Sequence, residues 1–211
     1  MTASRPPQTF ESLGLTAHEN LGAAADPSTS VADLAVDSRQ VKPGDLFFAV
    51  PGTQVDGAEF AQYAIRQGAS AVVGVAAGAE IVKNDLGALT VPFFAVESPR
   101  AELARLAPRV YPGQPETLIA VTGTNGKTST AHFVRQLWEA AGHRAAAFGT
   151  TGVEGDGFDE PLSHTTPEPI TLHRLLARLA ENGCTHAAME ASSHGLAQHR
   201  LDGVRLSAAG L

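Results

Sequence analysis

Short runs of apolar residues alternate along this chain with longer stretches whose apolar positions fall three and four apart. The runs at 34–36, 46–50, 71–75, 91–96, 118–121, 144–150, 186–190 and 204–211 read as strands. Most are apolar at every position, as in a parallel sheet covered on both faces. Between them, residues 58–67 read as a helix with Phe60, Ala64 and Ile65 inward and Gly68 as its stop. Ser98-Pro99 opens a helix to about 110 with an N-cap and a proline in the first turn. An amphipathic pattern from Lys127 carries Val134, Leu137, Trp138 and Ala141. After Pro169, Leu172, Leu175, Leu176 and Leu179 sit at i, i+3, i+4 and i+7, and Asn182-Gly183 ends that helix. Residues 1–30 give little signal, and 152–160 read as a glycine-rich acidic loop.

Strands alternating with helices predict an α/β layered fold with a mainly parallel sheet in its second half. Tyr111-Pro112-Gly113-Gln114-Pro115 interrupts every periodicity and predicts a boundary, giving domains 1–112 and 113–211. The final strand stops without a turn or cap, so the chain reads as the N-terminal piece of something longer.

Composition narrows the classes. A hydrophobic content of 43% supports a core, and a net charge of −7 argues against nucleic-acid or membrane-surface partners, both of which want a basic face. A lone cysteine, Cys184, fits a reducing compartment and reads as buried filler. With neither a signal-peptide pattern nor a long apolar run, the expectation is a cytoplasmic protein, not inserted in a membrane. A monomer is expected.

The chemistry centres on Val121-Thr122-Gly123-Thr124-Asn125-Gly126-Lys127-Thr128-Ser129. A buried strand runs into two glycines and then a helix N-terminus, where backbone N–H groups and the helix dipole favour an anion. Lys127 supplies a mobile charge for β/γ-phosphates, and the Thr128 hydroxyl suits Mg²⁺. The pattern departs from the general nucleotide motif, since Val121 stands where the first glycine would be. ATP binding is predicted through Gly123, Thr124, Asn125, Gly126, Lys127, Thr128 and Ser129.

A second constellation is Met189-Glu190-Ala191-Ser192-Ser193-His194-Gly195-Leu196, with Gln198, Arg200 and Gly203 after it. A carboxylate at the C-terminal end of a buried strand beside a phosphate loop is placed to ligate magnesium. Glu190 could instead cap the following helix, the Ser-Ser pair could be only an N-cap, and His194 alone reads as readily as a hydrogen-bonded structural histidine.

Together these segments resemble the Mur ligase family of ATP-dependent amide-forming enzymes. Gly123-Thr124-Asn125-Gly126-Lys127-Thr128 resembles its phosphate loop, and Met189 to His194 the Met-Glu-Val-Ser-Ser-His signature of the MurE type, with Ala191 for valine. His164-Thr165-Thr166-Pro167 resembles that type's Thr-Thr-Pro segment. Val36-Asp37-Ser38-Arg39, Pro43-Gly44-Asp45-Leu46-Phe47 and Asp56-Gly57 look like its UDP-sugar domain.

The resemblance implies a small N-terminal domain holding the UDP end near Val36, Ser38, Thr53, Gln54 and Val55. His164, Thr165, Thr166, Ser192, Gln198 and Arg200 would meet the muramoyl-peptide end; alone, Arg200 would be a surface arginine. Thr128 and Glu190 would hold Mg²⁺, with Lys127 catalytic. The implied reaction adds a diamino acid to UDP-MurNAc-L-Ala-D-Glu through an acyl phosphate, with ATP consumed. Segments that would complete a family member (a second metal ligand, a carbamylated lysine and the amino-acid-selecting domain) are not in the sequence, so the 211 residues alone are expected to be inactive. Competing readings are a non-catalytic Mur-like nucleotide-binding protein, a P-loop kinase or a folylpolyglutamate-type ligase.

Overall fold

The computed structural model describes residues 7–52, 55–155 and 157–211. Thr53 and Gln54, expected at the UDP end, lie outside the described residues. The chain divides into two units, Met1–Leu106 and Ala107–Leu211, the division falling inside a helix that ends at Val110.

In the first unit the strands are β1 (Gln8–Thr9), β2 (Glu19–Asn20), β3 (Ser30–Val31), β4 (Leu34–Ala35), β5 (Leu46–Ala49), β6 (Ala71–Gly74) and β7 (Phe93–Ala95). The helices are α1 (Phe10–Leu13), α2 (Ala61–Arg66), α3 (Ala76–Leu86) and α4 (Pro99–Val110). A five-stranded sheet has the order β2-β7-β6-β5-β4, parallel except for β2 at the edge, and β1 and β3 form a separate antiparallel pair. Phe47, Ala49, Val72 and Phe93 pack with Ala61 and Ala64 of α2 and Ala79 and Val82 of α3. Across the sheet, Phe10 meets Phe94 edge-on at 5.3 Å.

Three expectations need correction here. Phe60 is 49% exposed, not inward, because residues Gly57–Phe60 form a 3-10 turn before α2. That tighter turn moves the buried row to Ala58, Ala61 and Ala64. Helix α3 was not expected at all; its buried face is only Gly78, Ala79 and Val82, too small to stand out as an apolar stripe. The quiet N-terminal stretch forms β1, α1 and β3, where Thr9 caps α1 by a reciprocal exchange with Ser12.

The second unit contains β8 (Thr117–Val121), β9 (Ala145–Gly149), β10 (Gly152–Gly155), β11 (Phe158–Glu160), β12 (His186–Glu190) and β13 (Ala208–Gly210). Its helices are α5 (Lys127–Ala140), α6 (Pro169–Glu181) and α7 (Ser193–Ala197). The sheet order is β11-β10-β9-β12-β8-β13, and β9, β12, β8 and β13 run parallel. Alternation along the strands sorts the two faces. Leu118, Ala120, Ala146, Phe148, Ala187 and Met189 meet the α6 stripe of Leu172, Leu175, Leu176 and Leu179. Ile119, Ala147 and Ala188 meet Ala131, Val134 and Trp138 of α5.

The expected loop at 152–160 is instead the antiparallel hairpin β10–β11, with Val153 fully buried against the core. Leu137 does not share the packed face of Val134 and Trp138, being 69% exposed. The α5 face that touches the sheet is narrow because the strand residues beneath it are mostly alanines.

Candidate functional site

Strand β8 ends at Val121, and the chain turns through Gly123 (φ +119°) and Gly126 (φ +81°), both in backbone regions that suit glycine. Gly126 is the N-cap of α5 without a side-chain cap, so the first-turn N–H groups of Lys127, Thr128 and Ser129 have no intrahelical acceptor. Lys127 folds back over the loop, its Nζ donating to the Gly123 carbonyl at 2.7 Å and the Thr124 carbonyl at 3.4 Å. Thr124, Asn125, Gly126 and Ser129 are exposed at the rim.

Glu190 lies beside this loop because β12 pairs in register with β8, Glu190 opposite Val121 at the C-terminal ends of both strands. Glu190 is 2% exposed, and both of its carboxylate oxygens accept hydrogen bonds. Thr128 donates its hydroxyl to Oε1 at 2.9 Å, the Thr150 N–H reaches the same oxygen at 2.8 Å, and the Thr150 hydroxyl donates to Oε2 at 3.2 Å. Three donors to one buried carboxyl group explain how it tolerates burial. The capping alternative for Glu190 fails, since Ser192 caps α7 by accepting from the Gly195 N–H at 3.0 Å.

Two residues of this arrangement had no motif to announce them. A side-chain carbon at Gly149 would lie 2.1 Å from the Glu190 Oε1, so only glycine leaves room for the carboxylate there. Thr150 follows directly and supplies two of the three donors. The available signal was positional: β9 is a parallel strand of the same sheet, and such sheets gather ligands at their C-terminal ends.

The Thr-Thr-Pro segment closes around the other side. Thr166 is fully buried; its hydroxyl donates to the Glu190 carbonyl at 3.0 Å and accepts from the Ser192 N–H at 2.9 Å. The Arg200 guanidinium donates to the Thr166 carbonyl at 2.6 Å and to the Gln198 amide oxygen at 2.7 Å and 3.1 Å. Thr165 meets the Thr150 hydroxyl at 3.0 Å, and exposed His164 pairs with Ser163. Gly195 packs against Thr166, where a side-chain carbon would come within 2.8 Å of the threonine. A cleft lined by Thr122, Gly123, Thr124, Lys127, Ser192 and Ser193 brings the loop and the Ser-Ser pair together.

Chemically, this is an anion cradle with an adjacent pair of hard oxygen donors, Thr128 and Glu190. An all-oxygen hydroxyl–carboxylate pair next to a phosphate site fits Mg²⁺, which binds through one or two protein oxygens plus phosphates. Among the described residues no group of three or more His, Cys, Asp or Glu converges, so a site made wholly of such side chains is not what the fold offers there.

In the first unit Ser38 is buried in a short 3-10 turn capped by Asp37, whose carboxylate also pairs with Arg39 at 2.7 Å. Val36 and Val55 are exposed, at 39% and 42%. Val36 directly follows β4 at its C-terminal end. Gly57 allows its loop to lie on β5, since a side-chain carbon would approach the Val50 backbone to 2.6 Å.

Residues 30–111 match the sequence profile described as the Mur ligase family, catalytic domain, and residues 121–211 that of the Mur ligase middle domain. A UDP-N-acetylmuramoyl-L-alanyl-D-glutamate--2,6-diaminopimelate ligase of Rhizobium meliloti is 56% identical over 180 residues, covering 85% of this chain and 35% of that protein. A ligase of the same name from Mesorhizobium japonicum is 53% identical over 186 residues, covering 88% of this chain and 37% of that protein. A solved structure of a ligase with this name superposes with a TM-score of 0.75 at 29% identity, over 97% of this chain and 40% of that one. The chain therefore spans little more than a third of the curated relatives it matches. With both profiles in sequence order, and a phosphate loop, a strand-end glutamate and a Thr-Thr-Pro segment joined in one site, the chain belongs to the Mur ligase family.

Proposed function

We propose that this chain carries the UDP-sugar and phosphate-loop portions of an ATP-dependent ligase that adds a diamino acid, 2,6-diaminopimelate as in the named relatives, to UDP-MurNAc-L-Ala-D-Glu. The observation that carries the reading is the 2.9 Å contact between Thr128, first turn after the phosphate loop, and Glu190 of the Met-Glu-Ala-Ser-Ser-His segment. It joins a feature common to nucleotide-binding loops to one specific to the family.

In this reading the Gly123–Gly126 amides and Lys127 hold the β/γ-phosphates, with Thr124, Asn125 and Ser129 around them. Thr128 and Glu190 hold Mg²⁺, which when bound offsets charge on the phosphate oxygens. Val36, Ser38 and Val55 belong to the UDP end, the role the family resemblance also gives Thr53 and Gln54, which lie outside the described residues. His164, Thr165, Ser192, Gln198 and Arg200 orient the peptide end; the Thr166 hydroxyl works from inside by fixing the Glu190 and Ser192 backbone. The substrate carboxylate takes the γ-phosphoryl group to give an acyl phosphate and ADP, and the incoming amine then displaces phosphate as the amide forms. Positioning and charge stabilisation supply most of the rate.

The test is Lys127→Ala in the full-length protein. Turnover is expected to be lost while UDP-substrate affinity stays within about twofold, because the lysine acts on the triphosphate alone. Near-normal turnover would remove the assignment.

A further inference from the structure

Of the three hydrogen bonds that orient the Glu190 carboxylate, two come from one residue. Thr150 donates its N–H to Oε1 at 2.8 Å and its hydroxyl to Oε2 at 3.2 Å, gripping both oxygens. Gly149 leaves the space into which the carboxylate is pulled. The same Thr150 hydroxyl lies 3.0 Å from the Thr165 hydroxyl. A hydroxyl has one proton, and here it points at a carboxylate oxygen. Thr165 must therefore be the donor between the two threonines, which leaves Thr165 only acceptor lone pairs for anything else it meets.

We propose that Thr150 is a positioning residue for the Glu190 carboxylate, supported in turn by the hydroxyl of Thr165, so that the Thr-Thr-Pro segment and the metal-side carboxylate form one hydrogen-bonded chain. The proposal rests on the reading of Glu190 and Thr128 as the cation-holding pair. It adds the residue that directly follows β9, which no motif contains, and a direction to the relay. The second tie on the turn is His132, whose ring bonds Thr151 at 3.1 Å and Glu154 at 3.2 Å, so the segment after β9 is held from both sides.

The experiment measures Mn²⁺ binding by electron paramagnetic resonance, with and without ADP, in the full-length protein and in Thr150→Val, Thr150→Ser, Thr165→Val and the double variant Thr150→Val/Thr165→Val. Thr150→Val is expected to weaken Mn²⁺ binding in the ADP complex about tenfold, the size of losing a hydrogen bond to a charged group. Metal-free ADP affinity should change little, and Thr150→Ser should restore wild-type metal affinity. Thr165→Val should weaken it less, and the double variant should be no worse than Thr150→Val alone, as members of one chain are not additive. Unchanged Mn²⁺ affinity in Thr150→Val, or failure of Thr150→Ser to restore it, overturns the positioning role. A full additional loss in the double variant overturns the relay. If the unsubstituted protein binds no Mn²⁺ with ADP, the underlying reading of the metal pair fails instead, which separates the two outcomes.

Discussion

At the scale of single residues, the site depends on one carboxylate being buried, satisfied and aimed. Lys127, Thr128 and Glu190 were legible because each sits in a sequence pattern whose chemistry is local: a glycine turn, a helix N-terminus, a strand end. Gly149 and Thr150 were not, because their contribution exists only once β9 lies beside β12, some forty positions away in sequence. Gly149→Ala tests this directly. Its new methyl overlaps Glu190, so the carboxylate must move or the strands must shift, an overpacking cost of about 1–3 kcal/mol. Weakened Mn²⁺ binding with ADP and a lowered denaturation midpoint are both expected, and wild-type values for both would contradict the packing described.

His173 offers a second residue-scale test. It is 2% exposed on α6 and its Nε2 has no hydrogen-bond partner. Burial pushes its pKa down, with the nearby Arg205 charge acting the same way and a backbone bond to Asp202 opposing. A base whose folded pKa is depressed is held neutral by folding, so stability is full above the unfolded value of about 6.5 and falls as pH drops from there towards the folded pKa. Melting temperature measured from pH 7.5 down to 5 should decline in the natural protein, and the decline should shrink in His173→Phe. An identical decline in both would show that His173 does not carry it.

At the scale of elements, legibility followed the strength of the apolar stripe. Helix α6 buries all four leucines that its spacing singled out. Leu176→Ala is expected to cost about 2–5 kcal/mol by urea denaturation, since a fully buried leucine leaves a cavity. Leu137→Ala on exposed α5 surface should cost less than about 0.5 kcal/mol. Equal losses would contradict the face assignment. Helix α3 has no legible stripe because Gly78, Ala79 and Val82 alone make its buried face, and the phase of α2 differs from its apolar spacing because a 3-10 turn precedes it. The β10–β11 hairpin carried a turn signal in Asp156-Gly157 between Val153 and Phe158, outweighed by the density of acids and glycines around it.

At the scale of the whole molecule, two α/β units were legible from the alternation of strands and helices, and the family from motifs spread across both. In the proposed reading, an acidic chain would accommodate anionic ligands through local means: backbone N–H groups at the α5 N-terminus and single cations such as Lys127. No helix among the described residues is long and apolar enough to cross a membrane. What sequence could not supply is which donors converge on Glu190, since that depends on strand order β9-β12-β8.

The most direct test of that convergence is a calorimetric titration of ADP into the full-length protein, with and without Mg²⁺, for the natural sequence, Lys127→Ala and Glu190→Gln. Binding to the natural protein that strengthens with Mg²⁺, is lost in Lys127→Ala, and persists in Glu190→Gln without the Mg²⁺ enhancement is the expected result. ADP binding in Lys127→Ala equal to that of the natural protein, or a Mg²⁺ enhancement undiminished in Glu190→Gln, would contradict it.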